Sequence, residues 1–184
     1  AVRKAARLFV HTRQNRWEVE NLYGRDSTVL KGAFPAAVFH YRARAGIRGR
    51  LGLSGRKVVY TLSRFASHKR IDLCLRAFAR LRAGLPDAFL LIGGKSYPQD
   101  GFQVAEDGLR RLAAELGVEE EVRFLGYVPE EELWDTYLDC DAFVHMDRAN
   151  FDLAPYEALA LGRKVVWSSE MEIDAGIESS GRIF

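Results

Sequence analysis

The pattern of apolar and polar positions changes at residue 57. From there on, short apolar runs alternate with segments in which apolar residues recur every three or four positions. The runs predict strands at residues 57–62, 88–92, 122–125, 142–146 and 164–168. The periodic segments predict helices at residues 71–83, 104–116, 129–137 and 153–161. Apolar strands that are each followed by a helix indicate an α/β fold with a parallel sheet and helices on both faces.

Residues 1–56 follow a different pattern. A helix at Arg13–Tyr23 is predicted between short strands at 8–11 and 28–30, whereas residues 32–56 show no clear period. We interpret the aperiodic stretch as a connector and the piece before it as the end of a preceding domain. Residues 182–184 begin another strand-like run where the chain stops, so we expect both ends to be cut within a longer protein.

The composition is ordinary for a globular protein and excludes several classes. Of the 184 residues, 48% are hydrophobic, which suffices for a sizeable core. No apolar run reaches the roughly 18 to 20 residues that span a bilayer, and no signal-peptide pattern is present. Cys74 and Cys140 are too few for a disulfide framework or a zinc site, so we expect buried thiols in a soluble, cytoplasmic protein.

Charge is unevenly distributed along the chain. Residues 1–56 hold 12 Lys and Arg against 3 Asp and Glu, and residues 57–184 hold 15 against 22, although the whole chain has a net charge of +2. A basic arm can contact nucleic acid, a membrane surface or a phosphate-bearing substrate, or it can form a solvated surface. The charge pattern leaves these alternatives open.

Parallel sheets bind ligands beyond the carboxyl ends of their strands. The loops in that position are residues 63–69, 93–97, 126–129 and 147–157. In the first loop, Arg64 follows a strand and Lys69 sits at the start of the next helix, in its first turn, so both cations are expected to converge beside a helix N-terminus that favours anions. Such a pair suits a diphosphate. The alternative is that both side chains only solvate the loop.

The last loop predicts a second binding feature. Asp152 is a plausible N-cap, which would point the backbone N–H groups of Leu153 and Ala154 towards a phosphate. Glu157, one turn later, carries a carboxylate that can accept both hydroxyls of a ribose. The alternative for Glu157 is an acidic residue favoured by the helix dipole.

The remaining candidates concern a base site and several exclusions. Gly126, Tyr127 and Val128 follow a strand and offer a ring and free amides to a nucleobase, although Tyr127 could instead pack at the strand end. His145 is interpreted as a core histidine. The glycine pair at 93–94 lacks the G-x-G-x-x-G pattern, no Walker loop is present, and the histidines have no metal-ligand spacing. No cofactor and no metal ion are therefore expected.

Four stretches resemble, in order and spacing, the C-terminal domain of retaining GT-B glycosyltransferases. The loop SRFASHKR at 63–70 is similar to the family's G-R-x-x-x-x-K-G diphosphate loop, and AFLLIGG at 88–94 to its strand followed by glycine. VRFLGYV at 122–128 resembles the strand and loop beside the nucleobase. FDLAPYEALALGRKVV at 151–166 resembles F-G-L-x-x-x-E-A-x-A-x-G-x-P-V-V, in which the glutamate matching Glu157 binds ribose.

This resemblance implies a Rossmann-like nucleotide-sugar-binding domain, the C-terminal half of a GT-B fold, at residues 57–184. Residues 1–40 then correspond to the tail of an acceptor domain and the crossing between domains, and residues 41–56 to the connector. The implied catalytic cations are Arg64 and Lys69. The implied donor-binding residues are Gly93, Gly126, Tyr127, Val128, Asp147, Asp152, Leu153, Ala154 and Glu157.

The chain departs from the family pattern at three positions. Ala149 stands where the family's E-x7-E motif has its first glutamate, and Asp147, two residues earlier, could substitute for it if the loop is displaced. Asp152 replaces a glycine, which weakens the case for a phosphate at the following amides. Arg70 replaces the glycine after Lys69, and we interpret this as a mild change.

The resemblance implies retaining transfer of a hexose from a UDP- or GDP-linked sugar to a glycan or lipid-linked acceptor. Arg64 and Lys69 would hold the diphosphate in place of a metal ion, and an N-terminal domain of the same protein would bind the acceptor. Nucleic acid is not expected as a partner, and peripheral contact with a membrane is left open. The alternatives are a GT-B-type nucleotide-sugar epimerase, a non-catalytic nucleotide-binding module, and another Rossmann-like nucleotide-binding domain.

Overall fold

The computed structural model describes residues 2–30, 32–33, 35–44, 46–97, 101, 104–148 and 152–168. In these residues the strands are β1 Phe9–Val10, β2 Thr28–Val29, β3 Lys57–Leu62, β4 Ala88–Gly93, β5 Val122–Gly126, β6 Ala142–His145 and β7 Lys164–Trp167. The α-helices are α1 Arg13–Tyr23, α2 Ile47–Arg50, α3 Ile71–Gly84, α4 Glu106–Glu115, α5 Glu130–Leu138 and α6 Ala154–Ala160. Each strand and helix expected between residues 57 and 168 is therefore present, with bounds that differ by two residues at most, and the strand-like run at 182–184 lies outside the described residues.

The main sheet contains five strands in the order β5-β4-β3-β6-β7, and all its neighbouring pairs are parallel. The chain winds outward from β3 through β4 to β5, and then returns across the sheet to β6 on the other side of β3. The direction of winding therefore reverses between β3 and β6. In open α/β sheets, ligands bind in the crevice beyond the carboxyl ends of the strands at this reversal.

Helices cover both faces of this sheet. Every residue of β4 is buried, and successive side chains of a strand point to opposite faces. Leu90 and Ile92 belong to an apolar cluster with residues of α3 and α4, whereas Phe89 and Leu91 belong to one with residues of α5 and α6. The predicted α/β fold, Rossmann-like with helices on both faces, is thus confirmed.

The N-terminal part forms a separate two-stranded parallel sheet, β1 with β2, joined by α1. The helix has the predicted bounds because both of its ends carry local signals. The Thr12 hydroxyl accepts a hydrogen bond of 3.0 Å from the backbone N–H of Asn15, and Gly24 ends the helix with a φ of 60°.

The connector is more structured than its sequence indicates. It contains a 3-10 helix at Ala36–His40 and the single-turn helix α2. The Arg48 guanidinium in α2 donates to an Asp141 carboxylate oxygen at 2.6 Å, and the same oxygen accepts the backbone N–H of Val58 at 2.8 Å. Turns this short have no detectable period, so they could not be predicted from the pattern of apolar residues. Among the described residues, no helix is long and apolar enough to cross a membrane.

Candidate functional site

A cleft of about 400 Å³ opens at the carboxyl edge of the main sheet, where the winding reverses. Its walls come from the loops after β3, β4 and β5 and from the start of α6. Most of the residues proposed from sequence lie along it. These are Arg64, Lys69, Tyr127, Val128, Asp152, Leu153, Ala154 and Glu157.

Three of the proposed residues do not line the cleft. Gly93 is buried inside the sheet, where a Cβ atom would lie 2.8 Å from both the Leu62 side chain and the Tyr60 hydroxyl, so its role is packing. The neighbouring Gly94 lines the cleft instead. Gly126 supports that neighbour, because its carbonyl accepts the Gly94 N–H at 2.7 Å. Asp147 lies behind the wall and is fully buried.

Lys69 is engaged by two carboxylates. Its ammonium group donates to Asp147 Oδ2 at 2.5 Å and to Asp152 Oδ2 at 2.7 Å. The lysine side chain is only 9% exposed, and that of Asp152 is 24% exposed. Two negative charges therefore already balance the cation that was expected to await a diphosphate. Asp152 itself faces the cleft, so its carboxylate opposes an incoming anion.

His145 completes this charge cluster. Its ring is buried and stacks on Phe143 with centroids 6.0 Å apart, as expected of a core histidine. Its Nε2 atom, however, lies 3.3 Å from Asp152 Oδ2 and 3.6 Å from Asp147 Oδ2. Sequence analysis assigned only the packing role, because residues 69, 147 and 152 come together with residue 145 only in the folded chain.

The charges in the cluster shift one another's titration. Burial alone would lower the pKa of Lys69, but the carboxylates of Asp152 and Asp147 outweigh it and raise that pKa. The pKa of His145 is raised in the same way, against the effect of burial. Burial alone would raise the pKa of Asp152, but His145 and Lys69 hold it well below its usual range. The lysine is therefore charged at neutral pH.

The same histidine and two aspartates lie close enough to ligate a metal ion, with ligand atoms within 4.8 Å of one another. The Oδ2 atoms of the same two aspartates accept hydrogen bonds from Lys69. The two carboxylates of this group are therefore already bound to an ammonium group. The prediction that the site uses no metal ion stays a prediction.

Arg64 is an exposed cation of the cleft, as is Lys95. It leaves the end of β3 one residue after Ser63, whose N–H is fixed to the Gly93 carbonyl at 3.2 Å. Lys69 reaches the same cleft from a 3-10 helix at Ser67–Lys69, and not from the first turn of α3 as expected. The two cations line one wall, but only the Lys69 side chain is largely buried.

Arg70, which follows Lys69, has a φ of 50°. This left-handed conformation favours glycine, the residue found here in the family motif. Its guanidinium forms two hydrogen bonds of 3.1 Å with Asp72, which lowers the pKa of that carboxyl against the effect of burial. The substitution therefore carries a backbone cost that its sequence position did not reveal.

Glu157 faces the cleft from the first turn of α6 and is partly buried. Burial raises its pKa, and the charges of Asp152 and Glu130 add to that rise. One hydrogen bond acts in the opposite direction, because the hydroxyl of the buried Tyr137 donates to Glu157 Oε2 at 3.2 Å. Sequence analysis placed Tyr137 only at the end of a predicted helix, residues 129–137, and missed this contact.

The start of α6 differs from the expected arrangement. The N-cap is Leu153, with no side-chain cap, and not Asp152. The Asp152 Oδ1 atom still accepts the Ala154 N–H at 3.3 Å, while Oδ2 accepts from Lys69. An amide expected to receive a phosphate is thus occupied by a carboxylate. Ala149 and Phe151 lie outside the described residues.

A group that was not singled out from sequence lies at the far side of the cleft. The Lys95 ammonium lies 5.5 Å from the ring centroid of Tyr97 and 5.6 Å from that of Tyr127. Tyr127 is 62% exposed, so it is not a packing residue at the end of its strand. An exposed aromatic ring beside a cation suits the stacking and edge recognition of a planar ligand.

The five-stranded parallel sheet with its cleft at the reversal point defines a Rossmann-like α/β domain. The model of the Glycosyl transferases group 1 family matches residues 44–177. The chain belongs to this family.

The curated relatives agree with this assignment. Over 173 residues the chain is 34% identical to D-inositol 3-phosphate glycosyltransferase of Nocardia farcinica, a match that covers 90% of this chain and 38% of the relative. Over 126 residues it is 36% identical to mannosylfructose-phosphate synthase of Agrobacterium fabrum, which covers 67% of this chain and 27% of the relative. The chain therefore spans between a quarter and two fifths of the length of these relatives.

Solved structures show the same fold at low identity. HepE of Anabaena, crystallised with UDP and glucose, superposes with a TM-score of 0.77 at 20% identity, over 91% of this chain and 45% of that one. WaaG, a glycosyltransferase involved in lipopolysaccharide biosynthesis, superposes with a TM-score of 0.79 at 16% identity, over 96% of this chain and 49% of WaaG. The expected relation to GT-B glycosyltransferases is confirmed at the level of family and fold.

Proposed function

We propose that this chain is the donor-binding domain of a glycosyltransferase, which transfers a hexose from a UDP- or GDP-linked sugar to a glycan or lipid-linked acceptor with retention of configuration. The observation that carries the proposal is that Arg64 and Glu157 face one cleft at the reversal point of the sheet. A cation and a carboxylate that line one cleft suit a nucleoside diphosphate, which presents anionic oxygens and ribose hydroxyls. Membership of the glycosyltransferase family supports this choice.

The proposed roles follow from the side chains. Arg64 holds the diphosphate and stabilises the negative charge that develops on it as the bond to the sugar breaks. Glu157 accepts hydrogen bonds from the ribose hydroxyls. Tyr127 and Val128 receive the base. Lys69 contributes as a largely buried positive charge in the wall of the cleft, since its ammonium already donates to two carboxylates.

Titration with nucleotides tests the proposal. We expect UDP or GDP to bind and ADP to bind less well, and we expect Arg64→Gln to weaken the tighter of these complexes by roughly 10- to 100-fold, because a hydrogen bond to a charged group is lost. Isothermal calorimetry measures the affinities. Arg80→Gln is the matched control, since Arg80 is exposed on α3 and away from the cleft.

We expect Arg80→Gln to change affinity by less than about twofold, because an exposed residue outside the cleft contributes only at long range. The proposal fails if UDP, GDP and ADP all leave the chain unbound. Equal losses in both arginine variants would show that the effect of Arg64 is one of net charge and not of contact.

A second prediction concerns Asp152. Replacing it by Asn removes a negative charge from the cleft wall while keeping an oxygen for the Ala154 N–H. At a separation of about 5 Å, and with an effective dielectric constant of about 20, one such charge opposes another by about 3 kcal/mol before salt screening. We therefore expect Asp152→Asn to tighten UDP or GDP binding by roughly 10-fold, measured by calorimetry at constant salt.

Asp87→Asn serves as the control, because Asp87 is exposed and lies outside the cleft. The nucleotide affinity of Asp87→Asn is expected to stay within about twofold of that of the parent chain, because salt screens an exposed charge that lies outside the cleft. Weaker binding in Asp152→Asn would mean that this carboxylate supports the nucleotide and does not oppose it.

One observation favours a second candidate, a nucleotide-binding module without transferase activity. The positive charge of Lys69 is balanced by the carboxylates of Asp147 and Asp152, which leaves less positive charge to stabilise a leaving diphosphate. Under this candidate, nucleotide binds and no sugar is transferred. Measuring transfer from UDP- and GDP-hexoses by the whole protein that contains this chain distinguishes the two.

A further inference from the structure

Glu157 accepts a hydrogen bond from a buried tyrosine. The Tyr137 hydroxyl donates to Glu157 Oε2 at 3.2 Å, and no part of Tyr137 is exposed to solvent. The tyrosine comes from α5 and the glutamate from α6, so the bond joins two helices on one face of the sheet. Tyr137 does not line the cleft and therefore acts on it only through the glutamate.

The tyrosine ring has little freedom to move. It packs edge-to-face against Tyr60 of β3 with centroids 5.5 Å apart and against Phe143 of β6 with centroids 5.2 Å apart. Aromatic pairs of this geometry are favourable, and a closely packed interior resists rotation of a large ring. The Tyr137 hydroxyl is therefore a fixed donor, set by two strands of the sheet and aimed at the floor of the cleft.

A glutamate side chain has three rotatable bonds, so a cleft-facing carboxylate samples several positions unless a partner restricts it. A hydrogen bond from a fixed hydroxyl removes that freedom before any ligand arrives. It uses one acceptor position on Oε2 and leaves Oε1 and the remaining position of Oε2 for other donors. The glutamate is thus prepared to accept two further hydrogen bonds at once.

We propose that Tyr137 is a positioning residue, which orients the Glu157 carboxylate to accept both hydroxyls of a ribose. This inference rests on the proposed function of the cleft. It adds that the ribose end of the nucleotide is recognised by a pair of residues, of which only one touches the ligand. The substrate class that follows is a ribonucleotide with free 2′- and 3′-hydroxyls.

The ionisation of Glu157 provides an independent readout. Burial and the charges of Asp152 and Glu130 raise the pKa of Glu157, and the Tyr137 hydroxyl lowers it. The other charged groups of the cleft are Arg64, Lys69 and Lys95. Removing the hydroxyl should therefore raise the pKa of Glu157 further. As the pH is lowered, Glu157 should then become protonated at a higher pH than in the parent chain. A purely structural tyrosine would leave that titration unchanged.

The chain offers a matched control in Tyr60. Its ring is also completely buried and packs against Tyr137. Its hydroxyl, unlike that of Tyr137, has no hydrogen-bond partner among the described residues. Tyr137→Phe and Tyr60→Phe are thus the same chemical change in the same aromatic cluster, and only the first removes a bond to Glu157.

The experiment titrates the parent chain and both variants with UDP and GDP, and with the 2′,3′-dideoxy form of each nucleotide. We expect Tyr137→Phe to weaken binding of the ribonucleotide by roughly 5- to 10-fold, because the hydrogen bond that orients the Glu157 carboxylate is lost. Binding of the dideoxy nucleotide should change by less than about twofold, because it lacks the hydroxyls concerned. Tyr60→Phe should bind both forms as the parent chain does.

A second measurement follows the Glu157 carboxyl by carbon-detected NMR and needs no nucleotide. We expect its titration midpoint to rise in Tyr137→Phe and to stay in place in Tyr60→Phe. In a Glu157→Gln background, the added Tyr137→Phe change should no longer alter affinity for the ribonucleotide, since the group that it positions is absent.

The inference is overturned if the parent chain binds UDP or GDP while Tyr137→Phe matches Tyr60→Phe in affinity and titration. Equal losses for the ribo- and dideoxy nucleotides would also overturn it, because the effect would then not pass through the ribose. Failure of the parent chain to bind either nucleotide overturns the proposed function, and the inference with it.

Discussion

Replacing Lys69 by methionine is expected to lower the free energy of unfolding by about 3–5 kcal/mol. The methionine has a similar length but cannot donate to Asp147 and Asp152, whose side chains are 0% and 24% exposed. Two carboxylates would then share a largely buried site beside His145, whose Nε2 atom lies 3.6 Å from Asp147 and 3.3 Å from Asp152. Removing one partner of a buried ion pair destabilises a protein by far more than the pair's own net contribution to stability, because the charge that remains is unbalanced and poorly solvated.

The effect should depend on pH in a defined direction. In the parent chain the pKa of Lys69 is raised, so its contribution is fully present below its unfolded pKa and is lost only in strong alkali. The pKa of Asp152 is lowered, so its contribution is present above its unfolded pKa and is lost as the pH falls. In Lys69→Met the two carboxylates lose the ammonium group, so their pKa values are expected to rise, and the cost of burying them falls as they protonate. The difference in stability between the two chains should therefore narrow from pH 7 towards pH 5.

Urea unfolding followed by circular dichroism measures this prediction. Lys57→Met is the matched control, since Lys57 lies 3.9 Å from an Asp141 carboxylate but its side chain is 57% exposed. Exposed ion pairs are worth little, so that variant should stay within about 0.5–1 kcal/mol of the parent chain. If the free energy of unfolding falls by the same small amount in Lys69→Met and Lys57→Met, the cluster around Lys69 is not the buried network described above.

Replacing Gly94 by alanine is the second change with a large expected effect. Gly94 has a φ of 116°, a conformation that residues with a Cβ atom rarely adopt. An added Cβ would overlap the carbonyl oxygen of Ser63 and lie 2.8 Å from its carbonyl carbon. We expect a loss of roughly 2–5 kcal/mol in the free energy of unfolding, from backbone strain and steric overlap combined.

The overlap also has a consequence for binding. Ser63 begins the loop that carries Arg64, and relief of the overlap would push that loop away from the end of β4. Nucleotide affinity should therefore fall together with stability in Gly94→Ala. Both are measured on the same sample, by urea unfolding and by calorimetry with UDP and GDP.

Gly84→Ala is a suitable control, because Gly84 ends α3 and an added Cβ would have nothing within 4 Å. Alanine is the better helix former, so this variant should be as stable as the parent chain or more stable by up to about 1 kcal/mol. An unchanged stability in Gly94→Ala would mean that the loops after β3 and β4 can separate without cost, contrary to their close contact.

Sequence reasoning performed best where structure is dictated locally. The strand β3 and the helix α1 have their predicted bounds, since each is defined by its own apolar pattern and by caps such as Thr12 and Gly24. The parallel sheet followed from apolar strands that alternate with helices. The position of the cleft followed as well, because the carboxyl ends of parallel strands meet at one edge.

Prediction was incomplete where a residue's role depends on partners far along the chain. Lys69 was expected to be available to a ligand, and nothing near it in sequence indicates the carboxylates at positions 147 and 152. Gly93 and Gly94 look alike as a pair, yet one is packed in the sheet and the other forms the cleft. The helix α2 was missed because a single turn has no period to detect.

The sequence by itself therefore determined the order of the elements, the class of the sheet and the loops that carry the candidate site, since all three depend on short-range pattern and on connections between neighbouring elements. Only the tertiary structure decided which charges balance one another and which hydroxyl reaches Glu157. Ion pairs and buried hydrogen bonds depend on distances of a few ångströms between residues distant in sequence. Such distances arise only when the separate strands and helices are packed together.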